Sequence, residues 1–207
     1  EFVADGLMKS KSEYLEGKIQ KIVRFENGKE TTEERFSYYE NGQLRSKINN
    51  KDGKYHGLWE QYYESGQLRF KWNHKDGKKH GLCENYFENG QLYFKENYKD
   101  GKLHGLAEGY LENGMYRKTN LKDGKPHGLT EHYYKDGKFA YKDEFRDGKL
   151  YKNDQLYSGV FKYFYQSGHL YIKRNYKDGE LHGLTEYFDE DGSLRTTIKF
   201  ENGEMVS

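Results

Sequence analysis

Two successive stretches decide the reading of this chain: DGKYHGLWEQYYESGQLRFKWNHK, residues 52–75, and DGKKHGLCENYFENGQLYFKENYK, residues 76–99. They align without a gap. Each opens on Asp-Gly, passes through His-Gly-Leu, reaches Ser-Gly or Asn-Gly at mid-length and ends on Lys. The frame continues from Asp100 (DGKLHGLAEGYLENGMYRKTNLK) and from Asp123 (DGKPHGLTEHYYKDGKFAYKDEFR), then returns at Asp178 (DGELHGLTEYFDEDGSLRTTIKFE). The period is about 24 residues, with one unit a residue short. Turns at Glu16-Gly17, Asn27-Gly28 and Asn41-Gly42 carry the rhythm towards the N-terminus. Such a repeat is one supersecondary unit that buries its apolar face against its neighbours.

The turn residues name that unit. Asp-Gly and Asn-Gly suit two-residue hairpin turns, whose central positions both need positive φ. About 9 to 11 residues separate successive turns, which suits strands and predicts an up-and-down antiparallel meander. With Ser65-Gly66 as a two-residue turn, Tyr63 should face Leu68, Tyr62 Arg69, Gln61 Phe70, Glu60 Lys71, and Trp59 Trp72. One face then collects Trp59, Tyr63, Leu68, Phe70 and Trp72, and the other Glu60, Tyr62, Arg69 and Lys71. A one-residue slip would mix the two sets. The next unit pairs Glu84 with Lys95 and Phe87 with Leu92. Glu108 meets Lys118 if Glu112-Asn113-Gly114 forms a three-residue loop. At the Asp76-Gly77 turn the same counting sets Trp72 against Gly81 and Asn73 against His80, so that a ring could lie over the bare glycine.

Composition excludes several classes. Aromatic residues are 17% of the 207, including 21 Tyr, which argues against disorder despite a mean hydropathy of −1.22. The 35 basic and 34 acidic residues leave a net charge of +1, which removes any global attraction to nucleic acid or an anionic membrane. No apolar run approaches the roughly 20 residues that span a bilayer. The single cysteine, Cys83, cannot form an internal disulfide.

The repeat YYENGQLxxKxNYKDGKxHGLxExYY resembles the variant form of the MORN repeat found in bacterial proteins. The resemblance runs roughly from Arg35 to Gly203. It implies an all-β fold, an elongated single-layer antiparallel meander of β-hairpin repeats. The more regular Gly-x-Gly pattern of the standard unit is missing here. Some bacterial proteins of the variant type are labelled antitoxins or immunity partners, and the wider family includes membrane-associated scaffolds. The expected division is into residues 1–34, atypical capping strands; 35–147, regular repeats; 148–168, an irregular repeat; and 169–207, C-terminal repeats and cap. In the irregular repeat LYKNDQLYS, residues 150–158, adds about seven residues to the usual link, and His-Gly-Leu becomes Ser158-Gly159-Val160.

Candidate sites follow the repeat. His56, His80, His104, His127 and His182 recur two strands apart, about 9–10 Å, whereas zinc needs nitrogen ligands at about 2.0–2.1 Å. A place beside the turns suits them better than a metal role. Glu60, Glu84, Glu108, Glu131 and Glu186 are spaced the same way, and Lys partners face three of them, so a cross-strand ion ladder outweighs a catalytic carboxylate pair. Arg45, Lys47, Arg69, Lys71, Lys95 and Lys173, interleaved with Tyr62, Tyr86 and Tyr93, form a basic-aromatic stripe, but intervening Glu neutralises it for nucleic acid. No nucleophile triad or phosphate-binding loop is present, and no cofactor is expected.

Trp59, Tyr63, Phe70, Trp72, Phe87, Phe94, Tyr163, Tyr165 and Ile172 fall on the ring-bearing face, and Tyr157 closes the insertion beside them. An uncovered stretch of that face near the C-terminal half, with the interruption at Leu150 to Tyr157 as one rim, would be a docking surface for a protein partner, a toxin in the most concrete version, or for a second copy of the chain. The expected function is therefore a non-enzymatic protein-binding scaffold, most concretely a bacterial antitoxin or immunity protein that acts by direct binding. The competing expectation is an envelope or secreted module that binds glycan or a host or partner surface. The chain starts at Glu1 rather than Met. A signal peptide removed before Glu1 would favour the envelope, and otherwise the bacterial cytoplasm is expected.

Overall fold

A computed structural model describes residues 9–111 and 114–206. Every regular element among them is a strand. They are β1 Ser10–Leu15, β2 Lys18–Glu26, β3 Lys29–Tyr38, β4 Leu44–Lys51, β5 Lys54–Tyr62, β6 Leu68–Lys75, β7 Lys78–Tyr86, β8 Leu92–Lys99, β9 Lys102–Tyr110 and β10 Tyr116–Lys122. There follow β11 Lys125–Tyr133, β12 Phe139–Arg146, β13 Lys149–Lys152, β14 Gln155–Leu156, β15 Gly159–Phe164, β16 Leu170–Lys177, β17 Glu180–Phe188, β18 Leu194–Glu201 and β19 Glu204–Val206. Strands pair in chain order, β1 to β14 in one sheet and β15 to β19 in another. The fold is the all-β antiparallel meander that the turn chemistry predicts. Two compact units are distinguished, Glu1–Gly105 and Leu106–Ser207.

In the first unit the alternation of turns is finer than the sequence alone suggests. Asp52-Gly53 and Asp76-Gly77 are two-residue turns, with Lys51 paired to Lys54 and Lys75 to Lys78 and positive φ at both central residues. The Asn-Gly and Ser-Gly turns differ. Gly66 N–H donates to the Tyr63 carbonyl and Tyr63 N–H to the Gln67 carbonyl, so the loop is longer and ends on a left-handed Gly66 at φ 87°. Asn41 and Asn89 use their side chains to accept from the N–H two residues on, Gln43 and Gln91, both at 2.9 Å. A one-residue bulge follows. Tyr62 therefore pairs with Leu68, not Arg69, and Tyr86 with Leu92 in place of Phe87. Farther from the turn the expected register is found: Gln61 to Phe70, Glu60 to Lys71, Trp59 to Trp72 and Glu84 to Lys95.

His-Gly-Leu brings a second correction. Trp72 pairs with Cys83, not Gly81, because the register moves by two residues between Trp72 and His74. Gly81 takes φ +83°, a conformation a Cβ would strain, and lets β7 bulge there. Asn73 sits opposite the bulge and donates its Nδ2 to the Leu82 carbonyl at 2.6 Å. Asn49 does the same to Leu58 at 3.0 Å, and Asn175 to Leu184. A shift of two preserves the side-chain alternation, so the two faces stay separate.

The second unit contains the irregular repeat. The meander is divided there into two sheets, where the resemblance implied one. The added residues form the short hairpin β13–β14, turning at Asn153-Asp154 with positive φ at both. This hairpin folds inward: Leu150 is buried, its N–H donates to the Gly179 carbonyl, and Gly179 N–H donates to the Tyr157 carbonyl. A Cβ at Gly179 would lie 2.9 Å from the Leu150 carbonyl oxygen and from Lys149 Cβ, so only glycine fits this seam. Of the loop expected at Glu112-Asn113-Gly114, Glu112 and Asn113 lie outside the described residues.

Candidate functional site

Cross-strand partners lie on the same face, and the registers sort the side chains. One face carries a charge ladder, Lys47 to Glu60 to Lys71 to Glu84 to Lys95 across β4–β8. Lys173 and Glu186 are likewise paired, at 2.6 Å in the second unit. Each such pair contributes about 0.2–1 kcal/mol. The acidic series is thus part of the sheet.

The His series lies beside the turns. His80 Nδ1 accepts the Asp100 N–H at 3.4 Å, and His127 Nδ1 accepts the Asp147 N–H at 3.3 Å. In the irregular repeat Ser158 Oγ takes over, accepting the Asp178 N–H at 2.8 Å. Ser158-Gly159-Val160 therefore keeps the anchoring role while changing the residue. Among the described residues no three His, Cys, Asp or Glu side chains converge to hold a metal.

The other face carries the rings. Trp59 and Trp72 meet edge to face at 5.6 Å, Phe70 stacks on Trp72 at 4.0 Å, and Lys79 Nζ stands 3.6 Å above Trp72. Phe70 and Cys83 are buried, and burial pushes the Cys83 thiol pKa up. Trp59, Phe70 and Trp72 thus form a packed cluster that covers itself. Tyr63 acts differently. Its hydroxyl donates to the Tyr86 carbonyl at 2.9 Å, tying one repeat to the next, as Tyr39 does to Tyr62 and Tyr165 to Phe188. Phe87 is 41% exposed, at the Asn-Gly edge, with Tyr93 against it at 4.8 Å. Phe94 pairs with Asn85. Tyr157 packs on Phe161 and Tyr176, and Tyr163 and Ile172 are paired and buried.

The second unit brings together a set of residues that sequence reasoning missed. A cleft of about 690 Å³ is lined by Thr130, His132, Tyr141, Asp143, Arg174 and Tyr187, among others. His132 stacks on Tyr141 at 4.3 Å, and its Nε2 lies 3.6 Å from Asp143 Oδ2. Tyr163 donates its hydroxyl to the same oxygen at 3.2 Å, while its ring carries the Arg174 guanidinium 5.4 Å from the centroid. Burial holds the Tyr163 and Tyr141 hydroxyls well above the ordinary phenol range, so both remain protonated donors. The signal that could have revealed the set is register. Trp72, Asp143 and Arg174 each stand four residues before an Asp-Gly, so they occupy one position of the repeat.

No curated protein matches this chain. A family model described as the MORN repeat variant matches residues 34–52, 55–76, 79–100, 157–178 and 181–202. Each match runs across the second strand of a hairpin to an Asp-Gly or Asn-Gly turn, the unit that the registers define. Together the matches cover more than half of the sequence, and the chain belongs to the MORN repeat variant family.

Proposed function

We propose that this chain is a non-catalytic recognition module whose protein partner docks on the Asn-Gly edge of the first unit. Repeats of this family are protein- and membrane-binding modules. The observation that carries the proposal is the exposed ring pair at that edge. Phe87 is 41% and Tyr93 37% exposed, beside Tyr63 with Arg69 over its ring at 5.7 Å. Rigid amphipathic rings with an Arg among them are the side chains that dominate protein interfaces. The cluster of Trp59, Phe70 and Trp72 lies within the packing and is assigned to stability. No helix among the described residues is long and apolar enough to cross a membrane. The most concrete form of the proposal is an antitoxin or immunity protein that occludes its target, and it rests on the sequence resemblance alone.

The test is capture of a partner from native extract, followed by titration of variants that remain folded. Replacing Phe87 and Tyr93 together by Ala should weaken binding by about tenfold or more. Charge reversal at Lys47 or Lys71, on the ladder face, should have a smaller effect. Unchanged affinity in the ring variant, with loss in the Lys variants, places the partner on the opposite face.

A further inference from the structure

The cleft of the second unit holds buried polar atoms that its own chain does not satisfy. Asp143 is 5% exposed, and its Oδ1 makes no hydrogen bond among the described residues. The same is true of both ring nitrogens of His132, which is 8% exposed, and of Arg174 Nε. Arg174 has no carboxylate within ion-pair distance among the described residues, and Tyr163, Tyr176 and Tyr187 surround it. Burying a charge without a partner is expensive, and a group left in that condition in a native fold calls for an explanation.

The chemistry of these groups restricts what enters. A simple anion would meet the Asp143 carboxylate. A simple cation would meet the Arg174 guanidinium. A wholly apolar ligand would leave all the buried polar atoms without partners. Tyr141, Tyr171, Tyr176 and Tyr187 are among its lining residues, and the volume is within the range of small-molecule sites. What fits is a neutral molecule with adjacent groups that both donate and accept, and with a flat C–H face for the rings. Neighbouring hydroxyls of a pyranose have that character, since each hydroxyl is at once a donor and an acceptor.

We propose that this cleft binds a neutral saccharide, one ring of which lies against Tyr141 or Tyr187 while its adjacent hydroxyls donate to the Asp143 carboxylate and accept from the Arg174 guanidinium. Tyr163 is the positioning residue. It holds Asp143 through its hydroxyl and supports Arg174 on its ring face, although the two charged residues come from different sheets. The cleft and the Asn-Gly edge of the first unit are built from different residues, so neither proposal depends on the other.

The experiment uses the full chain on an array of immobilised neutral mono- and oligosaccharides, followed by calorimetric titration of the best binder. Free amino acids and small dicarboxylates serve as competing probes. Binding is expected for a neutral saccharide. It should fall at least tenfold in Asp143→Asn and in Arg174→Gln, and remain unchanged in Asn50→Ala, a residue of the first unit. Tyr187→Phe removes only a hydroxyl and provides a variant that folds if the charge substitutions do not, with an expected severalfold loss. Saturation-transfer NMR on the unmodified protein should show tyrosine ring protons in contact with the sugar C–H face. The proposal is overturned if no saccharide binds, if binding survives the substitutions, or if the cleft takes amino acids or dicarboxylates instead.

Discussion

The two units use one repeat position in opposite ways. In the first, the position four residues before Asp-Gly holds Trp72, packed between Phe70, Trp59 and Lys79. In the second it holds Asp143 and Arg174, set around a cleft. The first unit also has a cleft, lined by Glu33, Arg35 and Asn50. There the buried carboxylate is saturated: Lys21 lies 2.6 Å from Glu33, Arg35 also pairs with it, and Asn50 donates at 3.4 Å. Burial raises the Glu33 pKa, but Lys21 and Arg35 prevail and leave it lowered. Orphaned polar atoms do occur in the first unit, at Trp59 and His74 for example, and these two lie against each other at 5.9 Å within the ring cluster. The same repeat position thus holds a packed ring in one unit and charged groups at a cleft in the other.

The largest effect that would break this contrast lies at the seam. Ala at Gly179 places a Cβ 2.9 Å from a backbone oxygen at φ +77°, whereas Gly53 has φ +73° and open space around it. Gly179→Ala should therefore destabilise by about 3 kcal/mol or more, and Gly53→Ala by only about 1 kcal/mol. Urea unfolding followed by circular dichroism measures both. Equal losses would mean that the inward hairpin is not held as described.

Next in size is the exchange of Trp72 with Asp143. Trp72→Ala should cost about 2–4 kcal/mol through lost ring packing. Asp143→Leu should cost less, about 1–2 kcal/mol, because the buried Tyr163 hydroxyl loses its acceptor while an apolar side chain fills the space. A strong loss in Asp143→Leu would make that carboxylate structural and remove its contrast with Trp72. Asn73→Ala should cost about 1 kcal/mol, since the Leu82 carbonyl loses its donor at the bulge. The same denaturation series reads it.

The smallest effect concerns pH. Burial first, and Lys79 second, depress the His74 pKa below its ordinary 6.5. The fold therefore favours neutral His74. That contribution is fully present above about pH 6.5 and declines as pH falls through 6.5 towards the depressed folded value. Denaturation midpoints should drop on acidification, and the drop should be shallower in His74→Gln. A variant with the same pH profile as the parent would remove His74 as its source.

Much of this molecule was legible in the chain. The 24-residue repeat, the all-β meander, the Asp-Gly turns and the Glu60–Lys71 and Glu84–Lys95 pairings follow from turn chemistry and strict alternation, which act between near neighbours in sequence. The longer Asn-Gly loops and the two-residue bulge at Gly81 did not follow, because Asn side chains and left-handed glycines move the register by amounts that counting from the turn cannot reveal. The cleft was hidden for a deeper reason. Asp143 and Arg174 are 31 residues apart and belong to different sheets. Contacts across the break between the sheets, Tyr163 packing on Tyr141 at 4.6 Å and donating to Asp143 among them, bring their surroundings together. Local sequence determined the strands and their faces, and tertiary packing decided which charged residues share a buried space, because that contact is between side chains that no hairpin joins.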